Sequence, residues 1–341
     1  MKEIIHITLF TTILLFAQST FAQNLISVQN GNKTSFYLQV DSAITHSQDG
    51  DTIYIPGGSW ILNKPINKSI HLIGVGYHPD STNTNFPTTL QGNIVLAEGS
   101  SNGSLAGIFL QGVFLGIEGI IANSYTVTRC RITYGFTLYS SNNNISFIEN
   151  VLEGQCSMIT GNNCPTNCSF YNNIICSYFN NGVGTFLKSN FKNNIFLQAE
   201  SDYGIHTQYS TLDNNIFVSS CHALSSCINT IVKNNLFVET IIFPTGTNVG
   251  SNNLVNQTQN SIFINQEGSV FDYTHDYHLK SDSPGINAGT DGTDIGIYGG
   301  IYPWKHGSIP SNPHFQSVKV APKTDSNGNL NVNIKVTAQD Y

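Results

Sequence analysis

SFYNNIIC (169–176), NFKNNIFL (190–197), TLDNNIFV (211–218) and IVKNNLFV (231–238) are four copies of one phrase. Weaker copies flank them, SFIENVLE at 146–153 and VGSNNLVN at 249–256. The closing Asn of the phrase falls at Asn150, Asn173, Asn194, Asn215, Asn235 and Asn253, giving steps of 23, 21, 21, 20 and 18 residues. A period near twenty marks a stacked coil in which one repeat makes one turn. Residues at equal offsets from that Asn should then lie above one another, about 4.8 Å apart as in any hydrogen-bonded ladder.

The columns make chemical sense. Three places before the Asn stand Phe147, Phe170, Phe191, Leu212, Val232 and Gly250, a file that a core requires. One place after it stand Val151, Ile174, Ile195, Ile216, Leu236 and Leu254, and two places after it Phe196, Phe217 and Phe237; both files are expected inside. Asn tolerates left-handed backbone angles, and its amide both donates and accepts, so the recurrent Asn should turn the coil and bond to its copy in the next. Cys130, one coil earlier, falls in the same column as a buried thiol. Two places before the Asn, Lys192, Asp213 and Lys233 alternate in sign and are expected to pair outside as an ion ladder.

Nothing between repeats has a helical pattern or the length of a crossover helix, which argues against a parallel α/β fold. The expected class is all-β, a single-stranded right-handed parallel β-helix. These repeats resemble the pectin-lyase-like superfamily, which includes pectate lyases, polygalacturonases and many secreted β-helices. The resemblance runs from about Asn24 to Gly300, and it speaks for fold more than for activity.

The N-terminus supports export. Met1-Lys2-Glu3 precedes an apolar run from Ile4 to Phe16 and small residues up to Ala22, which reads as a signal peptide (1–22) rather than a membrane span. The β-helix is expected over 23–304. From Ser35 to His46, Phe36, Val40 and Ile44 fall on one face of a predicted helix capped by Thr34 or Ser35. In the family such a helix closes the first coil and shields its open strand edge. Tyr77 to Phe86 reads as a surface loop. Beyond a Pro-rich linker, SVKV and NLNVNIKV around Asn327-Gly328 predict a C-terminal β-hairpin within 305–341, acting as a cap or as a docking edge.

Composition narrows the partners. With 341 residues, 10% charged and a net charge of −7, the chain has no basic stripe for nucleic acid and no cationic amphipathic helix for a membrane surface. Seven Cys in an exported protein predict disulfides, with Cys221 to Cys227 the best pair and Cys130 left over. Cys164 and Cys168 lack the paired spacing of a zinc site, so no metal is expected there.

A uronate lyase needs a base, a cation or Ca²⁺ to neutralise the carboxylate, and a groove along several coils. The Trp-Ile-Asp-His run of pectate lyases is absent, as are the Asn-Thr-Asp, Asp-Asp, Gly-His-Gly and Arg-Ile-Lys runs of polygalacturonases. The best remaining group stands on the strands about ten residues before each Asn, the sugar-binding face of the resembled family. There His206 would be the base, with Lys188 on the adjacent coil and Tyr139 assisting. Tyr139, Gln208 and Tyr209 are candidate sugar contacts, since sugar rings stack on exposed aromatics. Three functions follow: a non-catalytic exported β-helix contacting polysaccharide or another surface component, which is preferred; a lyase, or less favourably a hydrolase; and an adhesive protein working through its hairpin. No cofactor is expected, apart from Ca²⁺ in the lyase reading.

Overall fold

The structure is a computed structural model that describes residues 25–80, 86–116, 120–139, 141–159, 164–177, 184–197, 205–218, 224, 226–238, 247–311, 314–321 and 323–338. Strands stack parallel from coil to coil. One sheet runs from Thr52–Tyr54 down to Val249–Ser251, a second from Gly58–Ile61 to Leu236–Phe237, and a short third holds Phe186–Leu187, His206–Gln208 and Ser226–Ile228. The chain is a parallel β-helix.

The predicted register holds. Phe147, Phe170, Phe191, Leu212, Val232 and Gly250 are successive partners. Their rings stack, Phe147 on Phe170 at 5.2 Å and Phe170 on Phe191 at 4.9 Å, while Phe217 stacks on Phe196 and Phe237 at 4.6 Å. The Asn ladder forms as expected: each Oδ1 accepts both the backbone and the side-chain N–H of the Asn one coil earlier, at 2.8–3.1 Å from Asn150 to Asn253. Cys130 heads the column, fully buried, its N–H donating to Asn150 Oδ1 at 2.9 Å.

The turning is done by a different residue. The left-handed angles belong to the position before the ladder Asn: Glu149, Asn172, Asn193, Asn214, Asn234 and Asn252 have φ between 52° and 59°. A second left-handed column stands five residues earlier at Asn167, Lys188, Tyr209 and Asn229. The three-residue strands of the first sheet lie between these two bends, which sets their length. Inside the second bend runs another ladder that the sequence reading missed, with Cys168 N–H donating to Ser189 Oγ and Ser189 N–H to Ser210 Oγ.

The file one place after the Asn is buried, but outside the coil. Val151, Ile174, Ile195, Ile216 and Leu236 form a second apolar cluster with Ile262, Phe263, Tyr277, Ile295 and Ile297. Alternation along the strand requires this, since Asn and the residue two beyond it already point inward. The return segment 262–309 supplies the cover. Each buried Ile is worth about 1.5–3 kcal/mol against exposure, so the outer layer needs such a lid.

The left-handed column is the rail that holds this segment. Asn234 Nδ2 donates to Ala288 O, Asn214 Nδ2 to Thr290 Oγ1, Asn193 Nδ2 to Gly296 O and Asn172 Nδ2 to Ile297 and Gly299 O, at 2.8–3.2 Å. Higher still, Arg129 and Glu149 form a buried ion pair at 3.1 Å; Arg129 Nη1 donates to Ile309 O and Glu149 Oε2 accepts the Lys305 N–H. The segment therefore climbs back toward the N-terminal end. Gly299 lets it approach, since a Cβ there would stand 2.7 Å from Asn193 Nδ2 on the coil, besides 1.8 Å from Asp294 O within the segment.

Several expectations are corrected. The helix is Val40–His46 with Gln39 at its N-cap; Phe36 belongs to the strand Lys33–Tyr37 and is 62% exposed. Val40, Ala43 and Ile44 are buried as predicted, and Lys68 Nζ caps the helix end by donating to the Ile44, Thr45 and Ser47 carbonyls. Of the predicted surface loop, Tyr77 is buried, Pro79, Asp80 and Phe86 are exposed as expected, and 81–85 lie outside the described residues. Lys192, Asp213 and Lys233 are in register, but Lys192 pairs with Asp291 of the return segment at 3.0 Å, and Asp213 Oδ1 has no hydrogen-bond partner.

The cysteines differ too. Cys130, Cys156, Cys164, Cys168, Cys176 and Cys227 are free thiols, while Cys221 and residues 1–22, expected to be a signal peptide, lie outside the described residues. Cys130, Cys168 and Cys227 each occupy an inward ladder or strand position, where a small apolar side chain satisfies the core without a bridge. The predicted C-terminal hairpin is present, His314–Val320 paired antiparallel with Val332–Thr337, with Gly328 at φ 82° in the turn. Val332, Ile334 and Val336 remain about half exposed. Among the described residues no helix is long and apolar enough to cross a membrane.

Candidate functional site

The residues proposed for a lyase are placed apart. The third sheet pairs Phe186 with Thr207 and Leu187 with Gln208, and the Lys188 N–H donates to Gln208 O at 2.9 Å. Lys188 therefore stacks toward Tyr209, three positions and about 10 Å along the strand from His206. His206 is half-buried opposite Ser226, and burial lowers its pKa. Tyr139 closes the strand Arg131–Tyr139 of the second sheet, opposite Ile159. Gln208 is half-buried between Leu187 and Ile228, and Tyr209 is 60% exposed at the left-handed bend. The expected base and cation are thus not brought together.

Another group of side chains is. Where the return segment reaches the early coils, Tyr77, His78, Ile174, Phe271, Asp272, Tyr273, His275, Tyr277, Tyr298, Trp304, Gly307 and Ser308 line a cavity of about 70 Å³. The coil supplies the floor, the Tyr77–His78 corner one wall, and the return segment the rest. Ring packing fixes the walls: His78 meets Tyr273 edge-on at 4.6 Å, Phe271 meets Tyr273 at 5.2 Å, and His278 stacks on Tyr298 at 3.7 Å. Tyr273 Oη donates to Tyr77 O at 3.3 Å, and the Tyr77 N–H donates to Ser308 Oγ at 3.2 Å.

Arg131 holds this arrangement from behind. It occupies the outer file, opposite Phe109 and Val151, where the coils below carry Ile. Its guanidinium lies 4.7 Å from the Tyr273 ring centre, 5.3 Å from Phe271 and 5.4 Å from Phe109. Glu153 takes the fork, Nε donating to Oε1 and Nη2 to Oε2 at 3.1 Å. Burial lowers the Arg131 pKa, but Glu153 and Tyr273 outweigh it and hold the value above the ordinary one. Its charge is matched within the wall.

The rim carries the remaining charge. Asp272 is exposed, and the hydroxyl and amide of Thr274 both donate to its Oδ1, at 2.6 and 2.8 Å, which holds its carboxyl below the usual range. Burial pushes the phenols of Tyr273 and Tyr277 up, so they are neutral hydroxyls at ordinary pH. His275 and Tyr277 share a 3.4 Å hydrogen bond, and His278 pairs with Asp276 at 2.7 Å. Among the described residues no three His, Cys, Asp or Glu side chains gather as a metal group.

Sequence analysis singled out neither Trp304 nor the stretch 271–278 as functional. The run FDYTHDYH at 271–278 was the available signal, dense in aromatic, His and Asp residues. Its partners Tyr77 and Trp304 lie far off in the chain, and no periodicity links them.

No protein-family model matches the chain, and no curated protein does. Among solved structures the chain is similar to AlyGC, an alginate lyase of family PL6, with 15% identity and a TM-score of 0.36 over 86% of this chain and 54% of that one. It is also similar to the tailspike protein gp49 of Acinetobacter baumannii bacteriophage Fri1, a capsular polysaccharide depolymerase, with 10% identity and a TM-score of 0.28 over 64% of this chain and 59% of that one. The chain spans little more than half the length of either. Likeness at this level concerns the winding of the backbone and says nothing of substrate.

Proposed function

We propose that this chain is an exported β-helix of the pectin-lyase-like superfamily that holds polysaccharide without cleaving it. The observation that carries the reading is the cavity lined by Tyr77, Tyr273, Tyr277, Tyr298 and Trp304, which gathers aromatic side chains with polar tips around one space. Sugars present apolar C–H faces and hydroxyl edges, and aromatic side chains with polar tips match both. The lyase alternative is less favoured, because Lys188 and His206 occupy different positions along their strands. The hairpin-based adhesive reading rests on the half-exposed Val332, Ile334 and Val336 and concerns a different surface.

A glycan array with the full chain tests this, run beside an assay for the absorbance of unsaturated products on uronate polymers. Glycan retention without product is expected, and Tyr273→Ala should lower retention at least tenfold while the urea midpoint keeps a single cooperative transition. Product formation, or retention that is indifferent to Tyr273→Ala, would overturn the proposal.

A further inference from the structure

Resting on the reading of the Tyr273 cavity as a glycan site, we infer that it takes a cationic sugar, one presenting a free ammonium group rather than a carboxylate. Ring faces are negative at their centres, so an enclosure of Tyr and Trp favours a cation. The wall already shows this preference, with the Arg131 guanidinium lying over the rings of Tyr273, Phe271 and Phe109. That guanidinium is engaged by Glu153 and so offers no free charge to an incoming anion.

Asp272 supplies the opposite sign. Its carboxylate is exposed at the cavity; His275 and Arg131 are the basic groups that act on it, and among the described residues neither forms an ion pair with it. Thr274 bonds to Oδ1, leaving Oδ2 for a ligand. No Lys or Arg lines the cavity; His78 and His275 are its basic residues. A uronate would meet the Asp272 carboxylate and the ring faces, with no Lys or Arg in the lining to match its charge. An ammonium would meet a carboxylate, π faces and phenol oxygens together.

Size agrees with an edge-on mode. A cavity of about 70 Å³ is well below the roughly 300–1,000 Å³ of a pocket that encloses a small molecule, which suits an amine and its ring carbon while the rest of the sugar stays outside.

Titrations of the full chain with a glucosamine tetramer, its fully N-acetylated counterpart and a uronate tetramer, each at low salt, separate the possibilities. Calorimetry gives the affinities, and Trp304 in the cavity wall provides a fluorescence signal. The amine form is expected to bind roughly tenfold tighter than the N-acetyl form. Asp272→Asn should bring the amine down to the N-acetyl level, with the urea midpoint unmoved because Asp272 is exposed. Equal binding of the amine and N-acetyl forms, or preference for the uronate, would overturn the assignment of charge while leaving the glycan site standing. If none of the three binds, and no glycan is retained on the array either, the glycan reading itself fails.

Discussion

Asn193 and Asn194, neighbours in the chain, point to opposite sides of the coil wall. Asn194 turns inward, its Nδ2 donating to Phe170 O at 2.7 Å and to Asn215 Oδ1 at 2.9 Å, while its Oδ1 accepts from Asn173. Asn193 sits at φ 59° and turns outward, its Nδ2 donating to Gly296 O at 3.1 Å. One builds the rod and the other straps the return segment to it.

The two substitutions should therefore differ in kind. Asn194→Ala leaves buried partners on both neighbouring coils unsatisfied, at about 1–3 kcal/mol for each orphaned group, and should lower the urea midpoint of the whole molecule. Asn193→Ala should cost about 1 kcal/mol and act locally, raising the rate of limited proteolysis within 286–300. Equal effects on the midpoint would contradict the division of roles.

Gly299→Ala tests the strap by steric means. The added methyl would fall 1.8 Å from Asp294 O and 2.7 Å from Asn193 Nδ2, so backbone must move. A loss of about 1–3 kcal/mol is expected, with hydrogen exchange quickening at Ile295 and Ile297 and glycan retention falling, because the cavity is built on the same segment. Unchanged exchange there would show that the contact is not limiting.

Breaking the buried Arg129–Glu149 pair should be costly. Glu149→Ala removes the carboxylate that faces Arg129 and accepts from Lys305 N–H, and a loss of about 3–5 kcal/mol is expected by denaturant titration. Replacing both residues together by apolar ones of similar volume should recover most of that loss, because burial penalises the Glu149 carboxylate even beside Arg129 and raises its pKa.

Acid should release one strap contact. Burial pushes the Asp291 carboxyl up, but the Thr293 hydroxyl and amide and the Lys192 ammonium outweigh this and hold it at about 2, from an ordinary 3.8. A depressed folded pKa contributes stability that is present above the unfolded value and lost as pH falls through the folded one. The difference in urea midpoint between wild type and Asp291→Asn should be constant above about pH 5 and close as pH approaches about 2. A difference that widens on acidification would refute the assignment.

Cys130, Cys168, Cys176 and Cys227 should behave as core residues. Burial pushes the thiols of Cys130, Cys168, Cys176 and Cys227 up to about 12, so thiolate is scarce at neutral pH. Ellman reagent should modify them only on unfolding, and a reductant should leave the melting temperature in place. A melting temperature that falls by several degrees under reduction would show that a bridge contributes.

The recurrent Asn and the Phe three places before it determined the winding, the register and the interior, because a column repeated every twenty or so residues leaves a period in the sequence. Tertiary structure alone decided which Asn of each pair turns outward, why Ile195 and Ile216 are buried on the outer face, and why Lys192 meets Asp291 rather than Asp213. Those contacts join residues some hundred positions apart through a segment that lies outside the coil repeat. A segment that repeats nothing leaves no period to read, and the cavity of Tyr77, Tyr273 and Trp304 exists only where two stretches of that segment meet the early coils.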